Sequence, residues 1–321
     1  MTTEVTDEGK GTETRAGMVA IVGRPNVGKS TLLNALLENK LAIVSPRPQT
    51  TRNRILGVRT FERDQLVLLD TPGIHRGKAD LNRFMIKEAL GSLQGVDGIL
   101  LVTEVEPRSA KAAAEGGALQ LHEEDRFVLE QVKQHKDASA PLLLAINKID
   151  LLADRRTVLP LMQAWCEAGF ERIVPISALA ADGVDRVIAE LRALLPVGPH
   201  LYPEDMFTDR AERFLVGELI REQVFTRCHQ EIPYAVAVEV ERFEERPDRG
   251  DVCIDALIHV ERPGQKAIVI GAGGTMIRDI GTAARDEIGR LLGCPAHLRL
   301  TVHVEAEWSR RPGPRRRFGY E

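Results

Sequence analysis

A glycine-rich motif near the amino terminus constrains the fold of this chain more than any other feature. Residues 23–30 read GRPNVGKS and match GxxxxGK[ST], with an apolar run before them and a helical pattern after them. In this context the glycines let backbone N–H groups surround phosphates, and the following helix N-terminus favours negative charge. Lys29 is expected to reach the β- and γ-phosphates, and Ser30 to offer a hydroxyl to Mg²⁺. The motif predicts an α/β domain that binds a nucleoside phosphate and leaves the base open.

The order of apolar segments predicts two domains. Up to residue 195, short apolar runs alternate with helical patterns, which favours a mostly parallel sheet with helices on both faces. The predicted strands are 18–22, 66–69, 98–102, 142–146 and 173–176, and the predicted helices are 30–37, 81–93, 125–136, 157–168 and 184–195. After a stretch with three prolines at 196–203, the order α-β-β-α-α-β indicates a separate α+β domain. We expect a disordered tail at 1–16, a first domain at 17–196, a linker at 197–209, a second domain at 210–309 and a basic tail at 310–321.

A second motif selects the base. Residues 147–150 read NKID and follow a predicted strand. The Asp150 carboxylate accepts hydrogen bonds only, and guanine offers it two neighbouring donors, N1–H and the 2-amino group, that adenine lacks. The dipeptide Ser177-Ala178 follows the next strand and is expected to present a backbone N–H to guanine O6. These positions disfavour an ATP-using enzyme and predict a guanine-nucleotide site.

Residues between these motifs are typical of a hydrolytic switch. Asp70 and Gly73 belong to DTPG, in which Asp70 is expected to hold Mg²⁺ through water and the Gly73 N–H to sense the γ-phosphate. Thr50 or Thr51 is expected to complete the Mg²⁺ shell, and the sequence does not say which. Ile74 stands where many small GTPases carry a water-orienting glutamine. Intrinsic hydrolysis of GTP should therefore be slow, with the water positioned by backbone or by a partner. The nucleotide contacts are predicted to come from Gly23, Asn26, Val27, Gly28, Lys29, Ser30, Thr31, Asp70, Gly73, Asn147, Lys148, Asp150, Ser177 and Ala178, with Lys29, Thr50, Thr51 and Gly73 serving catalysis.

Charge and cysteine content bound the other possibilities. The net charge is −4, but residues 262–321 carry 11 Lys+Arg against 6 Asp+Glu. Such a basic segment marks either a phosphate-binding surface or a solvated face with a loose tail. The four cysteines lie far apart and form no CxxC pair, which favours a reducing cytoplasm and no zinc site. The apolar runs are too short for a transmembrane segment.

A glycine loop in the second domain indicates nucleic-acid binding. Residues 271–274 read GAGG and lie between two predicted helices. This matches the GxxG loop of a KH domain, which clamps the backbone of single-stranded nucleic acid. The loop residues Gly271, Ala272, Gly273 and Gly274, with Arg278 and Arg285 on the next helix, are predicted to contact RNA. The alternative is a plain helix-terminating turn in a domain that binds protein or membrane.

Several segments together resemble one family. The runs GRPNVGKSTLLN, QTTRNRILG, DTPGIH and NKID, followed by PEDMFTDR, GELIRE and IPYAVAVEVE, are similar to those of the Era family of ribosome-assembly GTPases over residues 17–320. The resemblance implies an α/β P-loop GTPase domain followed by an α+β type II KH domain. It implies GTP/GDP and Mg²⁺ as ligands, binding of the 3′ end of 16S rRNA, assembly of the 30S subunit, and coupling between nucleotide state and RNA binding.

The resemblance carries further expectations. It implies a monomer in the cytoplasm with peripheral association at the inner membrane. Asn26 occupies the position at which Era-like GTPases use K⁺ as a fixed charge near the phosphates. Two features depart from the family pattern. Ala272-Gly273 stands where members usually carry a basic residue, and the stretch 104–124 is longer than usual.

Overall fold

The structure is a computed structural model that describes residues 13–45, 47, 50–76, 80–107, 120–228 and 232–320. Most of the predicted tail at 1–16 and most of the 104–124 stretch lie outside these ranges. Within them, no helix combines the length and the apolar character that crossing a membrane requires.

The first domain contains one six-stranded sheet in the order β2-β3-β1-β4-β5-β6. All neighbouring strands are parallel except β2 and β3, which are antiparallel. The predicted mostly parallel sheet is confirmed. Its strands are β1 Arg15–Val22, β2 Ile55–Thr60, β3 Asp64–Asp70, β4 Gly98–Glu104, β5 Leu142–Asn147 and β6 Ile173–Pro175. Its described helices are α1 Lys29–Leu37, α2 Asp80–Gly91, α3 Glu123–His135, α4 Leu159–Glu167 and α5 Val184–Leu194.

Strand β2 was not predicted. Its apolar residues Ile55, Leu56 and Val58 are interrupted by Gly57 and followed by Arg59, so the run is too short to stand out from a polar segment. The strand is fixed by tertiary contacts, including a 2.6 Å hydrogen bond from Arg59 Nη1 to the carbonyl of Leu36. Thr208, in the predicted linker, donates to the Leu56 carbonyl at 2.6 Å. The edge strand therefore depends on residues distant in sequence.

Two hydrophobic clusters hold helices against opposite faces of the sheet. One face packs against α1 and α5 and the other against α2, α3 and α4, with Trp165 buried on the second face. Strand β3 is buried throughout and β1 nearly so, as expected for central strands covered on both sides. The loops at the carboxyl ends of these strands are thereby placed along one edge of the sheet.

The second domain follows the predicted order. It contains α6 Glu212–Arg227, β7 Ala237–Arg246, β8 Asp251–Val260, α7 Pro263–Ile270, α8 Thr275–Leu292 and β9 Ala296–Val304. The sheet order is β7-β8-β9, with β7 antiparallel and β9 parallel to β8. Alternate residues of β8 are buried in a core formed with the helices. This α+β arrangement is that of a KH domain, as predicted.

The residues assigned to a basic tail form an ordered segment. It contains a short helix, α9 Pro312–Arg317, and beyond the helix Tyr320 is only 4% exposed. Trp308 and Tyr320 share a cluster with Leu81, Phe84 and Met85 of α2 in the first domain. The segment therefore packs between the domains and is not loose, because its aromatic residues bury apolar area there. The sequence did not indicate this packing because arginines outnumber the aromatic residues in the segment.

Candidate nucleotide and nucleic-acid sites

The predicted nucleotide motifs converge on one cavity of about 310 Å³ at the carboxyl edge of the first sheet. The cavity is lined by residues from the phosphate loop (residues 23–30), from residues 43–45, from the Thr50 segment (residues 50–52), from the turn at Gly73 and from the NKID loop (residues 147–150). They are Pro25, Asn26, Gly28, Lys29, Ser30, Thr31, Ile43, Val44, Ser45, Thr50, Thr51, Gly73, Asn147, Lys148, Asp150, Leu151 and Leu179. Of the predicted contacts, five do not line the cavity: Gly23, Val27, Asp70, Ser177 and Ala178.

The phosphate loop requires glycine at its turn into α1. Gly28 caps the helix with φ of 95°, a region that favours glycine, and a Cβ there would lie 2.3 Å from Asn147 Nδ2. Asn147 Nδ2 in turn donates to the Val27 carbonyl at 2.8 Å. The base-recognition loop and the phosphate loop are therefore in direct contact. Gly28 makes that approach possible because it has no side chain.

Lys29 is buried at the base of the loop. Its ammonium donates to the carbonyls of Gly23 and Arg24 at 3.1 and 2.9 Å. Burial lowers the pKa of Lys29 to about 8, and attraction to the Asp70 carboxylate opposes that shift. At neutral pH the group is mostly charged, so it can bind phosphate oxygens.

Three oxygen-bearing side chains form a magnesium-type cluster. Ser30 Oγ lies 2.7 Å from both Thr51 Oγ1 and Asp70 Oδ2, and Thr51 Oγ1 lies 3.3 Å from the same carboxylate oxygen. Asp70 Oδ1 is buried, and no protein group among the described residues satisfies it. Burial also raises the pKa of Asp70. Oxygen ligands and a buried, incompletely satisfied carboxylate fit Mg²⁺.

The two candidate threonines differ in orientation. Thr50 Oγ1 donates to the carbonyl of Arg47 at 2.7 Å, away from Asp70, whereas Thr51 belongs to the oxygen cluster. The geometry therefore favours Thr51 over Thr50 as the magnesium-side threonine, a choice that the sequence left open.

The turn after Asp70 is tied to the phosphate loop. A Cβ on Gly73 would lie 2.7 Å from the Pro25 nitrogen, so this close approach requires glycine. The Ile74 N–H donates to the Gly23 carbonyl at 3.1 Å, and the Ile74 side chain is fully buried in the core. Ile74 therefore cannot orient a water molecule, in line with its chemistry.

The base end of the cavity is organised around Asp150. Asp150 Oδ1 accepts a 2.5 Å hydrogen bond from Ser177 Oγ, which orients the carboxylate. The Ala178 N–H donates to Asn147 Oδ1 at 2.9 Å, which orients the Asn147 side chain. Leu151 and Leu179 line the cavity with exposed fractions of 55% and 83%. Their exposure is the signal of an apolar rim, and the sequence motifs did not reveal it.

Sequence reasoning also missed contacts that join the Thr50 segment to the second domain. Arg221 of α6 donates to the Thr50 carbonyl at 2.5 Å. Arg52, 1% exposed, donates to the carbonyls of Val236, Pro233 and Tyr234 at 2.7, 3.1 and 3.1 Å. Its guanidinium also lies 5.4 to 5.8 Å from the ring centres of Phe225, Trp308 and Tyr320. The Thr50 segment, which contains the candidate Mg²⁺ ligand Thr51, is thus fixed by contacts with the second domain.

The glycine loop of the second domain is accessible. Gly271, Gly273 and Gly274 have φ of 75°, 59° and 78°, and Ala272 and Gly273 are exposed between α7 and α8. A Cβ on Gly271 would lie 2.7 Å from Met276 Cβ. Arg278 and Arg285 are exposed on α8, two turns apart and therefore on one face. The loop and both arginines are available to a ligand.

A phosphate loop, a guanine-type carboxylate and a KH domain on one chain define a P-loop GTPase with an RNA-binding type of module. A family model described as "50S ribosome-binding GTPase" matches residues 18–148, and a KH domain model matches residues 231–309. GTPase Era of Geotalea uraniireducens is 46% identical over 308 residues, covering 96% of this chain and 98% of that protein. GTPase Era of Stenotrophomonas maltophilia is 45% identical over 307 residues, covering 95% and 97%. The chain belongs to the Era family of GTPases.

Solved Era structures share the whole architecture. Era in complex with MgGDPNP and nucleotides 1506–1542 of 16S ribosomal RNA gives a TM-score of 0.87 at 36% identity, covering 96% of this chain and 99% of that one. A tyrosine-to-alanine variant of Aquifex aeolicus Era bound to GDP and AlF4⁻ gives the same TM-score, identity and coverage. Both domains, and the way they pack, are therefore those of the family.

Proposed function

We propose that this GTPase binds the 3′ end of 16S rRNA through its KH domain and assists assembly and rRNA maturation of the 30S subunit. The observation that carries the proposal is the exposed GxxG loop beside Arg278 and Arg285, in a chain whose structural relative was solved with nucleotides 1506–1542 of 16S rRNA. GTP hydrolysis by the first domain switches the state of the molecule.

The nucleotide roles follow from the cavity. Lys29 and the backbone of residues 23–31 bind the phosphates, Asp150 reads guanine, and the Gly73 N–H faces the γ-phosphate end. Ser30, Thr51 and Asp70 hold Mg²⁺, which would neutralise charge on the phosphate oxygens. Ile74 contributes no polar group, so intrinsic hydrolysis is slow.

Potassium is proposed as an additional cation. Asn26 is exposed at the cavity, where its amide oxygen is available to a monovalent ion beside the phosphates. A fixed charge there would stabilise the charge that develops in the transition state. Turnover is expected to be faster in KCl than in NaCl at equal ionic strength. Equal turnover rates in the two salts would contradict a role for K⁺ at Asn26.

RNA binding is proposed to use backbone more than side chains. The GxxG loop lacks a basic residue, so the backbone of the exposed residues Ala272 and Gly273 and the α8 N-terminus supply the attraction to phosphate, with Arg278 and Arg285 adding charge. The protein is proposed to act as a cytoplasmic monomer, with peripheral membrane contact made through its basic surface.

A salt titration tests the proposal against its alternative. Binding of a short single-stranded RNA from the 16S 3′ end should weaken steeply between about 50 and 200 mM salt, because phosphate contacts release counterions. The double variant R278Q/R285Q should lower the slope by up to about 2. R172Q, which removes an exposed arginine of the first domain, is the control. No binding to this RNA at low salt would favour a KH domain that binds protein instead.

A further inference from the structure

A partly buried ionic network connects the phosphate loop to the base-recognition loop. Glu104, the last residue of β4, places one carboxylate oxygen 2.8 Å from Arg24 Nη2 in the phosphate loop. Its other oxygen pairs with Lys148 Nζ of the NKID loop. The side chains of Arg24 and Glu104 are 11% and 16% exposed, so water screens this bridge only partly.

Further contacts close the network. Lys148 Nζ also donates to the carbonyl of Asn26 at 2.8 Å, so Lys148 contacts the phosphate loop directly as well as through Glu104. Arg24 Nε donates to Asp125 of α3 at 3.2 Å, and Asp125 accepts from Thr103 at 2.7 Å. Two cations thus face two carboxylates, so the charges balance within a cluster in which only the Lys148 side chain, 34% exposed, reaches water to any large extent.

We propose that Glu104 is a positioning residue that fixes the distance between the phosphate loop and the guanine-reading loop. A bound nucleotide must contact both loops at once, with its phosphates at Lys29 and its base at Asp150. If the loops move independently, binding must order them, and that cost weakens the complex chiefly through faster release. Glu104 removes part of that cost in advance, before the nucleotide arrives.

Glu104 should affect the affinity for nucleotide and leave the rate of the chemical step unchanged. Glu104 does not line the nucleotide cavity, whereas Ser30, Thr51 and Gly73, proposed above to lie at the γ-phosphate and Mg²⁺ end, do line it. Once a nucleotide is bound, its own contacts hold the loops in place. Loss of the bridge should therefore raise KM and the rate of GDP release while kcat stays nearly constant.

The test is GDP release from the full-length protein, followed with a fluorescent GDP chased by excess GDP. E104Q keeps the size of the side chain and removes its charge, and it is expected to release GDP about tenfold faster, equivalent to about 1.4 kcal/mol. E190Q breaks the exposed Arg172–Glu190 pair in the same domain and should release GDP at the wild-type rate. A release rate for E104Q within twofold of E190Q would overturn the proposal.

A conservative variant of Arg24 and a measurement of melting temperature distinguish a positioning role of Glu104 from a purely structural one. R24K retains a cation beside Glu104 and should release GDP more slowly than R24Q. Should E104Q fail to fold, the R24K and R24Q pair tests the same bridge, and equal release rates for these two would contradict it. A drop in kcat as large as the rise in release would show that Glu104 also affects the chemical step, which contradicts the proposal. A lower melting temperature with an unchanged release rate would assign Glu104 to stability alone.

Discussion

Arg221 donates a 2.5 Å hydrogen bond from the second domain to the backbone carbonyl of Thr50, one residue before the magnesium-side Thr51. The same guanidinium pairs with Glu218 on its own helix, which fixes its direction. Any movement of the Thr50 segment on loss of the γ-phosphate would therefore pull on α6. This contact gives the expected coupling between nucleotide state and RNA binding a specific physical route.

Removing this link should uncouple the two sites. R221Q alone would leave Glu218 buried without its partner, at a cost of several kcal/mol, so the suitable change is the double variant E218Q/R221Q. Allosteric coupling energies are typically about 1–3 kcal/mol. The ratio of RNA affinities with a GTP analogue and with GDP, measured by fluorescence anisotropy, is expected to approach one. A ratio equal to that of the wild type would show that Arg221 does not carry the coupling.

The two threonines should behave differently on truncation. T51A removes an oxygen from the cluster with Ser30 and Asp70, and about tenfold more Mg²⁺ should be needed for half-maximal GTP hydrolysis. T50A removes only a hydrogen bond to the Arg47 carbonyl and should stay within about twofold of wild type. Magnesium titrations of phosphate release compare them. The reverse order would assign the metal-side role to Thr50.

Asp150 should set base preference. An asparagine at this position presents a donor as well as an acceptor, which suits the 2-keto group of xanthine and not the 2-amino group of guanine. D150N is expected to lose about a hundredfold in GDP affinity and to gain affinity for xanthosine diphosphate. Calorimetry with GDP and with xanthosine diphosphate measures the two affinities. Unchanged GDP affinity in this variant would remove Asp150 from base recognition.

GDP affinity should depend on pH through Lys29. Burial lowers its pKa to about 8 in the free protein, and a bound diphosphate favours the charged form and raises that pKa again. Affinity should therefore be nearly constant below about pH 7 and fall by about tenfold between pH 7 and 9, as the free protein loses the proton that binding requires. Equilibrium titrations at constant ionic strength test this. Identical dissociation constants at pH 7 and 9 would contradict it.

Local motifs explain why much of this molecule could be predicted. GRPNVGKS, DTPG and NKID each carry their own backbone requirements, such as the left-handed turn at Gly28, so the sequence reveals them without knowledge of the fold. Alternating apolar runs likewise identified the strands of the parallel sheet, except the edge strand β2. The family resemblance gave the combination of GTPase and KH domains.

Contacts between distant segments could not be predicted in this way. The burial of Arg52 among Phe225, Trp308 and Tyr320 joins residues up to 268 positions apart, from 52 to 320, and each looks ordinary in its own neighbourhood. The choice between Thr50 and Thr51 depends on side-chain direction, which neighbouring residues in the sequence do not specify. Arginines dominate the sequence of the carboxyl-terminal segment and predict a basic tail, whereas Trp308 and Tyr320 determine its position.

The guanine nucleotide in the first domain is expected to control RNA binding by the second. The most direct measurement is the affinity of the full-length protein for an RNA corresponding to the 3′ end of 16S rRNA, with Mg²⁺ and either a non-hydrolysable GTP analogue or GDP present. Binding is expected to be tighter with the GTP analogue, by about fivefold or more. Equal affinities in the two states, at a salt concentration where the RNA binds, would contradict it.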